Sequence, residues 1–291
     1  MAAEVLPFTV EHPGRNVAVV RLEASGLVGW EQWFLLRGDV HWDNPQCDRD
    51  LEMKHLEEAK RRNAGIIDVG DLFCVMQGKY DPRKSMDGVR AEHQKKDYLG
   101  SIIRTAADYY EPFAKNFVVL GRGNHEQSIQ ERNGFDLTGA LASALNDRTG
   151  SNIQAGGYAG WVRFNITRGK ERRSIRLYYM HGYGGGGPVT QDLIQDQRRR
   201  TYVEGADVMV SGHTHDCWAV DNVKIRLNEA NGVERRSVWS VKVPTYKDEF
   251  RDGAGGWHVE TGKPPKPLGA WWMVIRKDGQ AMPTVDIQRA S

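Results

Sequence analysis

Short apolar runs that stop at a glycine or a histidine recur along this chain, and they set its expected architecture. Leu35-Leu36-Arg37 runs into Gly38-Asp39, Ile66-Ile67-Asp68-Val69 into Gly70-Asp71, and Phe117 to Leu120 toward Gly123-Asn124. Leu177 to Met180 runs into His181, and Val208-Met209-Val210 toward Gly212-His213. Such runs, bounded by turn residues, are the pattern of strands buried in a layered α/β core. Asn16 to Leu22 and Trp33 to Leu36 read as the first two strands, joined through Gly26 and Gly29. A helical period takes over in Leu51 to Arg62, where Leu51, His55, Leu56 and Ala59 share a face, and in Gly134 to Asn146, where Leu137, Leu141 and Leu145 do. Further helices are expected over Val89 to Tyr110 and Gln191 to Tyr202. Alternation in Trp161 to Ile166 and Ser174 to Tyr179 predicts a hairpin feeding His181. After His215 the chain turns β-rich, with Trp218 to Arg226, Ser237 to Val243 and Ala270 to Arg276 expected to complete a second sheet.

The residues just past the apolar runs add chemistry to this outline. Gly38-Asp39-Val40-His41, Gly70-Asp71, Gly123-Asn124-His125-Glu126, His181-Gly182 and Gly212-His213-Thr214-His215 place seven metal-binding side chains in a fixed order, with His125 as a further histidine. The seven are Asp39, His41, Asp71, Asn124, His181, His213 and His215. Carboxylate plus imidazole suits manganese, iron, zinc or nickel. At the end of a strand, residues two apart point to the same side, so Asp39 with His41 and His213 with His215 would each reach one cluster. Only a fold that gathers several strand ends at one edge can bring these segments together.

Those motifs, in this order from about Phe34 to Asp216, resemble the calcineurin-like metallophosphoesterases. The resemblance implies an α/β fold, a four-layer α-β-β-α sandwich with two mixed central sheets. It implies a single domain over 1–291, with a motif core at 34–216 and a β-rich completion at 217–291. It also implies two divalent cations, manganese first, with iron, zinc or nickel as alternatives. Asp39, His41, Asp71 and His215 would hold one, and Asp71, Asn124, His181 and His213 the other, so that Asp71 bridges them. Two cations about 3.5 to 4 Å apart share a hydroxide of lowered pKa, hold phosphoryl oxygens and stabilise an in-line displacement. Asn124, a neutral ligand, leaves net positive charge for an anionic phosphate. In the family the histidine equivalent to His125 faces the substrate and is thought to donate a proton to the leaving alkoxide, a role suited to an imidazole. His125 is therefore the expected general acid or transition-state stabiliser.

Within the superfamily one metal core serves protein phosphatases, nucleotide phosphodiesterases, lipid-linked pyrophosphatases and DNA nucleases, so the motifs fix reaction type and leave the substrate open. Val69-Gly70-Asp71-Leu72-Phe73 resembles the corresponding motif in the nuclease subunit of double-strand-break repair complexes. Those nucleases commonly carry aspartate where this chain has Glu126, and no long C-terminal DNA-binding extension is seen. The leading expectation is a phosphodiesterase acting on a nucleotide or on nucleic acid such as DNA. A phosphomonoesterase or phosphoprotein phosphatase is the alternative, and a non-catalytic scaffold a third reading. Basic clusters at Arg61-Arg62, Lys95-Lys96, Arg168 to Arg173 and Arg198 to Arg200 would contact a phosphate backbone only if they shared a face, and a solvated charged surface is the simpler account. Gly182 to Pro188 has the composition of a phosphate-cradling loop without the lysine or spacing of a P-loop, and reads as an active-site rim. The polar stretch Gln77 to Asp87 reads as a loop over the site.

Composition adds boundaries. A net charge of +2 and a pI near 8.4 fall short of the strongly basic profile of a dedicated nucleic-acid binder. Cys47, Cys74 and Cys217 lack zinc-ribbon spacing, and Met1-Ala2-Ala3-Glu4 does not begin a secretory signal, so a reduced cytoplasmic setting is expected. No segment approaches the roughly 20 apolar residues needed to span a bilayer, so no membrane partner is expected. His12, His55, His93 and His258 lie outside the motifs and read as structural. Asp43 and Asp216 either orient an imidazole or form turns, and Asp68 reads as a hydrogen-bonded buried carboxylate. Trp257, Trp271 and Trp272 read as packing rather than base-stacking residues.

Overall fold

The computed structural model describes residues 6–24, 29–76, 88–229, 231–251, 257–277 and 282–290. Its strands are β1 (Phe8–Gly14), β2 (Val17–Glu23), β3 (Trp30–Arg37), β4 (Gly65–Asp68), β5 (Phe117–Leu120), β6 (Gln154–Ala155), β7 (Ala159–Arg168), β8 (Glu171–Met180), β9 (Val208–Ser211), β10 (Trp218–Leu227), β11 (Val233–Lys242), β12 (Trp271–Lys277) and β13 (Thr284–Arg289). Its helices are α1 (Arg49–Arg61), α2 (Tyr98–Tyr110), α3 (Asn124–Asn133), α4 (Leu137–Thr149), α5 (Leu193–Arg199) and the short α6 (Trp257–Glu260). One sheet has the order β1-β2-β7-β8-β9-β11-β10, the other β13-β12-β3-β4-β5-β6, and both mix parallel and antiparallel pairs.

The sheets stack because the alternating strand β2 turns Ala18, Val20 and Leu22 inward, onto Phe34, Leu36, Ile67 and Val119 of the other sheet. The central strands β3, β4 and β5 are apolar on both faces, as expected for strands covered on both sides. Their second face, with Leu35, Ile66 and Leu120, packs beneath α1, α2 and α4 in a separate core that includes Leu56, Ile102, Leu141 and Leu145. On the far side, α5 caps the seven-stranded sheet, where Asp196 and Arg200 meet Ser240 of β11. The layers are therefore α-β-β-α around two mixed sheets. Among the described residues no helix is long and apolar enough to cross a membrane.

Several elements differ from the sequence expectation. The strand expected first is the second, because β1 precedes it and pairs with it antiparallel. Pro13 obscures β1, and it is tolerated because β1 lies at a sheet edge and its register shifts between Glu11 and Gly14. The helix expected from Val89 starts at Tyr98, after a single 3-10 turn at Ala91–His93. Helix α5 is shorter than Gln191 to Tyr202 because Gln191 and Asp192 adopt φ of 45° and 66°, outside the helical region. Helix α3 was not expected, since it buries only Glu126 and Ile129 and so shows no apolar stripe. The C-terminal strands complete both sheets: β10 and β11 extend one, β12 and β13 the other. The stretch Gln77 to Asp87 and the linking Gly26 lie outside the described residues.

Candidate metal centre

Strands β3, β4 and β5 run parallel in one sheet, and β8 and β9 run parallel in the other, so their carboxyl ends form two facing edges. The loops leaving those ends are stitched together by the backbone. Asp39 N donates to Gly70 O at 2.9 Å, His41 N to Asp71 O at 3.1 Å, and Gly212 N to His181 O at 2.8 Å. The sheets are joined by His213 N, which donates to both carboxylate oxygens of Asp39 at 3.0 and 2.8 Å. His125 N donates to Asp71 Oδ1 at 2.9 Å.

Asp39, His41, Asp71, His213 and His215 have φ of 51°, 51°, 54°, 78° and 58°. Each is a non-glycine residue in the left-handed region, at a cost of about 1 to 3 kcal/mol apiece. This corrects the expectation that strand alternation aims Asp39 with His41 and His213 with His215. Both members of each pair instead turn left-handed past the strand ends, and Asp39 and His41 share one donor group whereas His213 and His215 join different ones. Gly123 and Gly212 complete the arrangement, since a Cβ on either would collide with the carboxylate of Asp71 or of Asp39.

All seven expected side chains meet here, in two groups. Donor atoms of Asp39, His41 and His215 lie within 4.8 Å of one another, as do those of Asp71, His181 and His213. His215 Nε2 is 3.4 Å from Asp39 Oδ1 and 3.2 Å from His41 Nε2. His181 Nε2 is 3.1 Å from Asp71 Oδ2 and 3.1 Å from Asn124 Oδ1, and that amide oxygen is 2.8 Å from His213 Nδ1. His181 Nδ1 faces Val69 O at 3.2 Å and His213 Nε2 faces Gly184 O at 2.9 Å. With protons on those outer nitrogens, the lone pairs of the other two point inward, the usual way a backbone carbonyl fixes a metal-binding tautomer.

The donor set fits divalent cations. Imidazole nitrogens turned toward one another and toward carboxylate and amide oxygens crowd lone pairs together, which a cation relieves. His41 Nδ1 is buried with no hydrogen-bond partner in the described structure.

The charges agree. Burial would raise the carboxylates of Asp39 and Asp71, yet both are lowered, Asp39 chiefly by His215 and Asp71 by His181 and His125. Burial lowers His41, reinforced by His125 and His215, and lowers His213, reinforced by His181, which keeps both in the neutral ligand form. His181 differs: burial would lower it, but Asp71, Asp39 and Glu126 raise it to about 9, so without a metal it is protonated beside Asp71 and a bound cation would displace its inner proton.

His125 stands beside the two groups, with Nε2 3.8 Å from Asp71 Oδ2 and Nδ1 2.6 Å from Cys74 O. Glu126 is the residue the sequence reading passed over. Its carboxylate accepts from Asp71 N at 3.1 Å, Phe73 N at 2.8 Å and Gly123 N at 2.9 Å, clamping two motif loops together. Burial, with Asp71 beside it, raises Glu126 to about 8. The signal available in the sequence was a carboxylate three residues past Gly123, the capping-box position.

Other residues fall into supporting places. Asp43 accepts from Cys74 N, Val75 N and Tyr98 OH, so it shapes the loop after Asp71 and touches no imidazole of the site. Asp216 pairs with Lys266 at 2.6 Å. Asp68 pairs with the buried Arg37 at 2.9 Å, and burial outweighs that partner to raise it to about 6. His12 meets Asn152 O, His55 meets Tyr246 OH and His93 packs on Trp42, all structural, while the side chain of His258 lies outside the described set. Trp272 packs on Trp33 and Trp271 donates to Lys242 O; the Trp257 side chain is likewise outside the described set. Of the basic clusters, Arg199 and Arg200 are tied to Asp192, Asp196 and Ser240, and Arg61 and Arg62 to Glu58.

A cavity of 780 Å³ opens above the two groups. His41, Asp71, Asn124, His125, His213 and His215 form its floor, Gly184 to Gly186 and Pro188 one rim, and Met76, Lys247, Lys263, Pro264 and Lys266 its walls. The Gly-rich segment is thus a rim of the site, as its composition implied.

No family model matches the chain, and no curated protein matches it. Solved structures do. The chain is similar to a metallophosphoesterase from Sphaerobacter thermophilus, at 13% identity over 89% of each chain with a TM-score of 0.35. It is similar to a predicted phosphoesterase from Streptococcus pneumoniae TIGR4, at 8% identity over 89% of this chain and 99% of that one, TM-score 0.33. It is also similar to Vps29 complexed with zinc from Entamoeba histolytica, at 11% identity over 89% and 98%, TM-score 0.35. The functional reading rests on the residues of the site itself.

Proposed function

We propose that this protein is a metal-dependent phosphoester hydrolase with a dinuclear centre, and that its substrates are phosphodiesters of the nucleotide or nucleic-acid class. The observation that carries the reading is the convergence of two His and carboxylate groups at the floor of one cavity, with His125 beside them. Asp39, His41 and His215 would hold one divalent cation, Asn124, His181 and His213 the other, and Asp71 would belong to both. Bound there, manganese or a related cation supplies Lewis-acid charge for the phosphoryl oxygens and lowers the pKa of water. The chain's own residues do the rest. Cys74 O fixes the His125 ring through Nδ1, so Nε2 is the nitrogen placed to pass a proton to the leaving alkoxide. Lys247, paired with Glu249, and Lys266, paired with Asp216, bring cations to the wall where phosphate oxygens of a substrate would lie. Met76, Pro188 and Pro264 offer apolar surface to the remainder of the substrate. A reducing cytoplasmic setting fits three free thiols, two of them buried.

The test compares hydrolysis of bis-p-nitrophenyl phosphate and p-nitrophenyl phosphate by chelated protein reconstituted with manganese. A diester preference supports the reading and leads on to cyclic nucleotides and DNA. A monoester preference makes the protein a phosphatase, and no turnover of either, with metal bound, leaves it a metal-binding scaffold.

A further inference from the structure

His41, Cys74 and His125 form a third donor group, with one atom of each within 4.8 Å of the others. We infer that this group is a competing site for thiophilic divalent cations such as cobalt, zinc or cadmium, sharing His41 with one of the nitrogen and oxygen sets that manganese would occupy and differing from both by its thiol.

Two features of the geometry carry this. The Cys74 position is fixed by the protein: its N donates to Asp43 Oδ1 at 2.5 Å, the next residue, Val75, is left-handed at φ 45°, and Asn44 Nδ2 donates to its Sγ at 3.3 Å. The His41 and His125 rings face each other edge to face at 5.0 Å between centroids, and Cys74 O takes up His125 Nδ1, so a metal bond from that ring would use Nε2. Softness then decides the occupant. The other two groups offer only nitrogen and oxygen, which accept manganese and zinc alike, whereas a thiolate with two imidazoles selects zinc, cobalt or cadmium over manganese. Binding would convert the Cys74 thiol to a thiolate and release one proton to solvent. Because His41 also belongs to the group with Asp39 and His215, a cation seated on Cys74 takes His41 from that group and His125 from the cavity floor. A thiophilic metal therefore misloads the site, whatever reaction the site performs.

The test is spectroscopic and does not depend on turnover. Chelated protein is titrated with cobalt(II), and the thiolate-to-cobalt charge-transfer band is followed in the near ultraviolet. The band is expected in the wild type and in Cys217→Ser and is lost in Cys74→Ser, which should also weaken cobalt binding at least about tenfold, the low end of what an outer partner of a metal ligand is worth. Zinc-edge X-ray absorption of the wild type checks the result without a variant and should show a sulfur neighbour at about 2.3 Å. Failure of cobalt to bind, bound cobalt without the band, a band that survives Cys74→Ser or vanishes in Cys217→Ser, or a zinc shell of nitrogen and oxygen alone would overturn the inference.

Discussion

His125 is held at both ends, through its backbone N–H on Asp71 Oδ1 and its Nδ1 on Cys74 O, so only Nε2 addresses the cavity. A group fixed in that way and absent from both candidate ligand groups should affect the rate without affecting the metals. His125→Asn is expected to retain its full manganese content while slowing turnover of a substrate with a poor, alkoxide leaving group by roughly 10² to 10⁴. An unchanged rate on that substrate would remove His125 from the chemistry. Glu126 makes the opposite kind of contribution, because its two oxygens satisfy three buried N–H groups from two loops. Above pH 8, where Glu126 is a carboxylate, Glu126→Gln sets an amide NH₂ against one or more of those donors and should cost about 1 to 3 kcal/mol, read as a lower urea midpoint. A midpoint equal to the wild type would show that the clamp carries no stability.

Among the elements, a buried ionic cluster joins the framework behind the site. Arg37 of β3 meets Glu52 of α1 at 2.7 Å and Asp68 of β4 at 2.9 Å, and Tyr110 of α2 donates to Glu52. Its guanidinium also lies over the rings of Tyr110 and Phe117. Removing the cation strands two carboxylates in the core, so Arg37→Ala is expected to lose about 3 to 5 kcal/mol in urea unfolding, and a loss below about 1 would contradict this role. That cluster also marks where the sequence stopped being readable. The apolar runs before Gly38, Gly70, Gly123, His181 and Gly212 were legible because a strand covered on both faces needs little else, and the seven candidate ligands followed from where those runs end. The partners of Arg37 were not legible, since nothing in a single run shows which charge a neighbouring element will bury. The left-handed backbone at Asp39, His41, Asp71, His213 and His215 was equally hidden, because aspartate and histidine take positive φ more readily than most residues but nothing local separates these five from the chain's other aspartates and histidines. Helix α3 lacked an apolar stripe, and β1 was obscured by its edge-strand proline.

At the scale of the whole molecule, two sheets and the helix layer beside them must assemble before the ligand loops meet, so stability and site formation are coupled. One titrating contact reports on that assembly. His55 of α1 meets Tyr246 OH at 2.8 Å, and burial, with Lys54 and Arg289 nearby, lowers it to about 4. The folded state therefore keeps it neutral, whereas the unfolded chain takes up a proton below its ordinary value of 6.5. Its contribution is complete above that value and is lost as the pH falls toward 4, by about 3 kcal/mol at most. In metal-free protein, His55→Gln should flatten that part of the acid limb of the stability curve, and an unchanged limb would show that His55 does not contribute.

Asp39, His41, Asp71, Asn124, His181, His213 and His215 are proposed to form one centre for two cations that share Asp71. Its most direct test is the metal content of manganese-reconstituted protein after removal of free ion, for the wild type and for Asp71→Asn. Two manganese ions per chain are expected in the wild type and a loss at both positions in the variant. Two ions retained in Asp71→Asn, or fewer than two in the wild type, would contradict it.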